Sequence, residues 1–482
     1  MRNENVKSVK SIKRLTVFFS VCLLSIVGYL TYFTLYKAAQ VENNSTNPRI
    51  SIAESEVLRG SILDRDGNAI AYSEGTPESQ KRLYTNGKAF AFITGYMSKT
   101  YGKTGIENAY NEALIGNTSS YDIFATFFRT LKEDLNEKDK LGANVVVTID
   151  GDAQIAAYNA MKDYKGAVAA INPSTGEVLA LVSTPTYEPG SIDDSFSKYS
   201  SDEENAPLVN RATSGYYPPG SVFKLVTASA ALEGIGDIEQ QQFVCDGGLK
   251  IGDYVLWDYG HTSHGKVDLK KGFGVSCNYT FGKIGTELGF SRLNSYAEKF
   301  MFNKTINSAD DIDVLKIRSG SFTTSDRTSD ALIAQNAIGQ NGVTTNPMHM
   351  AMITGAIANG GVMMEPYIIK GITDRYGVEL MTGSSEILSR PISAETADKV
   401  SNYMVYTVES GTGKAVQISG VTIGGKTGSA ENSQGDVTHS WFVAFAPAEN
   451  PEIAVAVVAE NAGTGSKAAK VARAVIKAYL GK

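Results

Sequence analysis

The stretch Pro218-Pro219-Gly220-Ser221-Val222-Phe223-Lys224 closes one segment with two prolines and a glycine and opens another, "SVFKLVTASAALE", whose apolar residues recur at helical spacing. That spacing predicts a helix beginning at Ser221. A side chain in the first turn lies beside unpaired backbone N–H groups and the positive end of the helix dipole, a favourable place for a nucleophile. Lys224, three residues on, falls on the same face, and a lysine that is desolvated or held near another cation can act as a base. Ser-x-x-Lys also describes an ordinary capped helix, so the pair needs support from elsewhere in the chain.

Two later stretches supply it. "KGFGVSCNYTFGKIG" contains Ser276-Cys277-Asn278, a hydroxyl and a carboxamide two residues apart. After "VTIGG" comes Lys426-Thr427-Gly428-Ser429, where a short strand would present a lysine, a hydroxyl and a bare glycine to one cleft. Ser-x-x-Lys, Ser-x-Asn and Lys-Thr-Gly, in that order, form the motif set of penicillin-binding proteins and class A β-lactamases. The chain resembles a class B penicillin-binding protein, a membrane-anchored peptidoglycan D,D-transpeptidase. The likeness extends to "RGSILDRDGNAIA", "GAVAAINPSTGEVLALVSTPTYEPG", "NAIGQNGVTTNPMHMAMITGAIANGG" and "GGKTGSA", and covers most of the chain from about Arg59 onward, more weakly from Lys81 to Lys140.

The resemblance implies roles. Ser221 attacks the carbonyl between two D-alanines of a stem peptide to give an acyl-enzyme, and β-lactams acylate the same hydroxyl. Lys224, its pKa lowered by burial and by Lys426, accepts the proton, and Ser276 relays it to the departing nitrogen. Asn278 hydrogen-bonds the peptide backbone. Lys426 and Thr427 attract the terminal carboxylate, Gly428 lets the substrate lie alongside as an added strand, and the N–H groups of Ser221 and Ser429 form an oxyanion hole. An amine of a neighbouring stem peptide then takes the acyl group. A polytopic lipid II polymerase is the implied membrane partner, and no cofactor is called for.

Composition is compatible with that reading. The chain has 482 residues, 42% hydrophobic and 20% charged, which suits a folded protein of two or three modules. Net charge is −6, yet residues 1–14 carry +4 and leave −10 for the remainder, so no basic stripe offers itself to nucleic acid. Leu15 to Tyr36 is an uncharged run of 22 residues, about 33 Å of helix against a hydrocarbon core of roughly 30 Å. It exceeds the apolar region of a cleaved signal peptide, whose cut would fall near Ala38-Ala39. The basic flank places the N-terminus in the cytoplasm and the body outside. Of Cys22, Cys245 and Cys277 only the last two could pair, and free thiols are the expectation. His261, His264, His349 and His439 are scattered at no familiar ligand spacing, so no metal is expected and the histidines read as structural or surface residues.

Organisation follows from composition shifts. Residues 1–14 form a cytoplasmic tail, 15–36 the transmembrane anchor, 37–145 a small mixed pedestal or dimerisation-like module, and 146–482 the transpeptidase domain. "NNSTNPR" marks a juxtamembrane linker, and "EVLRGSILDRDGNAIAYSE" predicts a hairpin about Asp66-Gly67. Phe127-Phe128 and "LKEDLNEKDK" belong to a stretch with nothing catalytic in it. A strand at Val145–Ile149, followed by a helix that Asp150 or Asp152 can cap, opens the second domain. "GAVAAINPSTGEVLALVS" and "SWFVAFAPAENPEIAVAVVAE" predict two hairpins of one antiparallel sheet, closed by the final helix "SKAAKVARAVIKAYL". A largely helical insertion, Ser221 to about Thr407, lies between them. The fold class is therefore α+β, and the resemblance implies a five-stranded antiparallel sheet flanked by helices with a helical subdomain.

Competing readings fail on residues. Gly420 to Thr427, "GVTIGGKT", satisfies the P-loop pattern, but its β-branched run lies inside the pattern and "GSAENSQGD" cannot open an apolar-faced helix. A class A β-lactamase needs Glu-x-x-Leu-Asn for deacylation, which does not occur between Asn278 and Lys426, and the 150 residues from Ser276 to Lys426 are long for that fold. A membrane-anchored β-lactam sensor would need a cytoplasmic signalling part, and only 14 residues precede the span. The segment before Val145 is too short for a glycosyltransferase, hence class B.

Overall fold

Asn172 turns the chain as its neighbours predict: its Oδ1 accepts from the N–H groups of Ser174 and Thr175, at 2.9 and 3.2 Å, and Gly176 takes φ +84°. In this computed structural model, which describes residues 2–33, 56–116, 141–310, 312–323, 327–374, 377–432 and 435–482, that turn joins strands Gly166–Ile171 and Val178–Thr184. The C-terminal hairpin pairs Gly435–Ala446 with Ile453–Ala459, and the latter pairs antiparallel with Gly166–Ile171. Gly424–Asn432 completes a five-stranded antiparallel sheet as one edge, Val178–Thr184 being the other.

Both faces of this sheet are covered. Helices Gly151–Met161 and Ser466–Tyr479 lie on one side with Ala153, Ala157, Ala468, Ala472 and Ile476 buried against Val168, Val455 and Val457. Helix Pro347–Ala358, buried along nearly its whole length, covers the other face beside Ile171, Ala454 and Ala456. Double coverage explains why these strands read as continuous apolar runs, and each buried Val or Ile contributes about 1.5–3 kcal/mol relative to an exposed position. Asp150 caps the first helix, accepting from Ala153 N at 2.9 Å.

The insertion is less uniformly helical than expected. Helices Lys224–Gly234, Asn278–Lys299, Asp330–Ala337 and Ala394–Glu409 pack together, but two-stranded ribbons join Phe243–Cys245 to Gly265–Val267 and Gly248–Ile251 to Tyr254–Trp257. Strands of three or four residues carry too little alternation to be read from sequence.

The predicted hairpin about Asp66-Gly67 forms between Ile62–Leu63 and Ala69–Glu74, with Asp64 Oδ1 accepting from the N–H groups of Asp66 and Asn68. Its sheet has six strands, and Asn144–Val147 runs parallel to Ile62–Leu63 at its centre. The next strands are Ile369–Thr373 and Glu379–Thr382, from more than 200 residues downstream. The expected junction at residue 145 thus falls inside a strand shared by both parts of the chain. Glu107, fully buried here, accepts from Arg59 Nε at 2.7 Å and Arg82 Nε at 2.6 Å, and the two guanidiniums hold its carboxyl below the usual range despite burial.

Helix Arg2–Tyr32 contains a stretch, Lys13–Tyr32, long and apolar enough to cross a membrane. Residues 34–36 of the expected span, the linker at 37–55, Phe127-Phe128 and "LKEDLNEKDK" lie outside the described residues.

Candidate active site

Pro219 and Gly220 place Ser221 in a short 3-10 turn, Gly220–Phe223, and the α-helix proper starts at Lys224 rather than at Ser221. Gly220 has φ +54°, and a Cβ there would lie 2.7 Å from the carbonyl oxygen of Ser429, so glycine alone lets the turn abut the strand Gly424–Asn432. Trp441, fully buried in the neighbouring strand, donates from Nε1 to Pro218 O at 3.0 Å and fixes the entry to the turn. The Ser221 hydroxyl lines the cleft without a hydrogen-bond partner among the described residues.

Ser276 takes φ +61°, an uncommon conformation for a residue with a side chain, and Cys277 Sγ caps the helix Asn278–Lys299 by accepting from Thr280 N. This sharp turn aims Ser276 and Asn278 at the lysines. Lys224 Nζ donates to Ser276 O at 2.7 Å and Asn278 Oδ1 at 2.8 Å, and lies 3.5 Å from Ser276 Oγ. Lys426 Nζ donates to Ser276 Oγ at 2.8 Å and Thr427 O at 3.0 Å. Asn278 Nδ2 donates to Trp257 O at 2.9 Å.

Both lysines are fully buried. Burial lowers Lys224 to about 8, opposed by the nearby Asp258 carboxylate. Burial and the charge of Lys224 hold Lys426 well below the ordinary lysine value. Two ammonium groups around one hydroxyl repel each other, and among the described residues no carboxylate stands beside Lys426 to offset that repulsion.

The cleft, about 650 Å³, is lined by Ser221, Ser276, Asn278, Thr427 and Ser429, which reach it from three separate elements. Gly428 lies in the same strand but faces the other way: a Cβ there would meet Trp441 Cβ at 2.9 Å and Pro219 O at 3.0 Å. Its bareness permits the close approach of the Ser221 turn. The strand Gly424–Asn432 is an edge strand, so its outer side is free to pair with an extended peptide. The P-loop reading fails here, because the chain after Lys426-Thr427 continues as strand where a P-loop opens a helix.

Sequence reasoning missed one cluster. Cys245, Asp258, His264 and Cys277 bring their ligand atoms within 4.8 Å of one another, so of the two roles expected for His264 it has the structural one. Asp258, 2% exposed, accepts from Cys245 Sγ at 3.0 Å and Cys277 Sγ at 3.4 Å, stands 3.3 Å from His264 Nδ1, and accepts from the backbone N–H of Asn278. Burial pushes the Cys277 thiol up to about 12, with Asp258 adding to the shift. Two sulfurs, an imidazole and a carboxylate are a donor set suited to zinc, and these four residues could hold a divalent metal that would tie the Trp257–His264 segment to the start of helix Asn278–Lys299. The intervals between them, 13, 6 and 13 residues, match no compact ligand motif, which is why the expectation of no metal site arose.

A family model described as the penicillin binding protein transpeptidase domain matches residues 166–477, and one described as the penicillin binding protein A dimerisation domain matches residues 59–145. The chain is 31% identical over 499 residues to the peptidoglycan D,D-transpeptidase PbpA of Mycolicibacterium smegmatis, covering 98% of this chain and 99% of that one. It is 28% identical over 447 residues to the peptidoglycan D,D-transpeptidase MrdA of Acinetobacter baumannii, covering 83% of this chain and 66% of that one. Among solved structures it resembles penicillin-binding protein A from M. tuberculosis, an acyl-enzyme complex with ceftriaxone, with TM-score 0.81 and 32% identity over 89% of this chain and 99% of that one.

Proposed function

The chain belongs to the penicillin-binding protein transpeptidase family, and we propose that its cleft performs peptidoglycan D,D-transpeptidation through an acyl-enzyme on Ser221. The observation that carries the assignment of roles is the position of Ser276 Oγ, 2.8 Å from Lys426 Nζ and 3.5 Å from Lys224 Nζ, in the wall of the cleft that Ser221 also lines.

In the first half-reaction Ser221 Oγ attacks the carbonyl between the terminal D-alanines, and the oxyanion meets the backbone N–H groups of Ser221 and Ser429. Lys224, as the free amine, takes the hydroxyl proton. With a pKa of about 8, roughly a tenth of it is free at pH 7. Ser276, bridged to both lysines, passes a proton to the departing D-alanine nitrogen. Thr427, at the cleft surface, meets the terminal carboxylate, with Lys426 buried beneath it. Asn278 reads the peptide backbone, and the edge strand takes the donor peptide alongside residues 426–429.

The N-terminal helix anchors the protein as a single membrane pass. The basic residues before it hold the N-terminus in the cytoplasm and leave the cleft outside, where the stem peptides are. Residues 37–145 act as pedestal, and a polytopic lipid II polymerase is the membrane partner.

The test is to treat the purified protein with penicillin G and locate the adduct by mass spectrometry. A stable adduct on Ser221, absent in Ser221→Ala, supports the reading; rapid return to free enzyme indicates a β-lactamase, and absence of any adduct overturns the assignment.

A further inference from the structure

The strand that carries Lys426 does not end its cleft-facing row at Ser429. Side chains alternate along a strand, so Thr427 and Ser429 share one face; Glu431, where the pairing register shifts between Ala430 and Asn432, lines the same cleft, while Lys426, Gly428 and Ala430 are buried. Two carboxylates reach the lining. Asp258 is buried and engaged with the thiols and the Asn278 N–H, whereas Glu431 is exposed. Among the described lining residues no lysine or arginine competes for it, since Lys224 and Lys426 lie behind the wall. The same cleft has an aromatic lining: Tyr254, Trp257 and Tyr259 are 39%, 50% and 71% exposed. Tyr254 and Glu431 line the same cleft, and burial, with the Glu431 charge adding to it, pushes the Tyr254 hydroxyl upward. An exposed carboxylate and electron-rich rings lining one cleft are an environment that binds an organic ammonium group.

We propose that Glu431, with Tyr254, Trp257 and Tyr259 in the same cleft, binds the ammonium group of the acyl acceptor and so selects an amine over water for the second half-reaction. This rests on the transpeptidase reading above, which requires two substrates of opposite charge. The donor presents a carboxylate and goes to Thr427, while the acceptor presents a cation and goes to Glu431, two residues past Ser429, about 7 Å along the strand. The bound ammonium sheds one proton to water. Its nitrogen then attacks the acyl carbon, the C–N bond forms, the C–Oγ bond of Ser221 breaks, and one of the amine's two protons passes through Lys224 to Ser221 Oγ while the other stays on the new amide. Glu431 is a positioning residue in this scheme, and acylation does not use it.

The experiment compares wild type, Glu431→Gln and Glu431→Asp on a thioester donor peptide, partitioned between water, a D-amino acid amide and hydroxylamine, which is uncharged at pH 7.5. Expected for Glu431→Gln is a rise of about tenfold in KM for the cationic amide, with hydrolysis, hydroxylaminolysis and penicillin acylation unchanged, and partial recovery in Glu431→Asp. An unchanged KM for the amide overturns the proposal. So does a parallel fall in all reactions, which would make Glu431 a general support of the cleft. Failure of wild type to be acylated by penicillin would instead refute the transpeptidase reading, so the two failures are separable.

Discussion

Lys426 Nζ stands 2.8 Å from the Ser276 hydroxyl although 150 residues separate them in sequence. One residue comes from the edge strand of the sheet and the other from a turn in the helical insertion, so the cleft exists only where these two parts meet. Replacing Lys426 with Met keeps the volume of the buried stem and removes the nitrogen. Acylation by penicillin is expected to slow by a factor on the order of 100 or more, read by stopped-flow with a fluorescent penicillin, while the melting temperature holds or rises because a buried polar group is gone.

The pH profile reports on Lys224. Its acting form is the free amine, and burial sets its pKa at about 8, so the acylation rate is expected to climb through pH 8 and level off above it. Stability has the same sign. The unfolded chain carries this lysine near 10.5, hence binds more protons than the folded chain between about 8 and 10.5, and unfolding becomes harder as pH rises across that window. Denaturant melts of wild type and Lys224→Met at pH 7.5 and 9.5 check this. The rise should shrink in the variant.

Asn278→Ala removes both the acceptor for Lys224 Nζ and the donor to Trp257 O. One buried ammonium contact is left unmade, at a cost of about 1–3 kcal/mol. The expected result is a lower melting temperature together with weaker donor-peptide binding, seen as a raised KM in the thioester assay.

Gly220→Ala tests the contact between the turn and the strand. A methyl group placed 2.7 Å from Ser429 O, at φ +54°, forces the Ser221 turn away from the oxyanion position. A stability loss of about 1–3 kcal/mol is expected, with acylation reduced far more than thermal stability alone explains. Equal acylation in the variant and wild type would show that the turn tolerates displacement.

Arg59→Ala leaves Glu107 buried with Arg82 as its remaining partner. Breaking one arm of this buried network is expected to cost about 3–5 kcal/mol. Because strands of this module share a sheet with Ile369–Thr373, the loss should appear in a single cooperative melt and not as separate melting of the N-terminal part.

Much of the molecule was legible along the chain. The apolar run from Leu15, the turns at Asp66-Gly67 and Asn172-Pro173, and the C-terminal hairpin are all set by neighbours within about ten residues, where turn chemistry and periodicity act. The three motifs were legible as words in order, and their order carried the family. The small ribbons between Phe243 and Val267 were not, because a three-residue strand has no period to read.

By itself the sequence determined which local pieces form and which reactive groups the chain carries: a serine before a lysine, a hydroxyl and carboxamide after glycines, and a Lys-Thr-Gly strand. Only the tertiary structure decided what those groups meet. It turned Gly428 inward against Trp441 and Pro219, gathered Cys245, Asp258, His264 and Cys277 beneath Asn278, and brought Glu431 to the cleft that Tyr254 also lines. It also closed the N-terminal sheet with Ile369–Thr373. The physical reason is common to all four: backbone turns and helices answer to nearby residues, whereas desolvation, charge pairing and close packing depend on whichever distant surfaces the fold brings together.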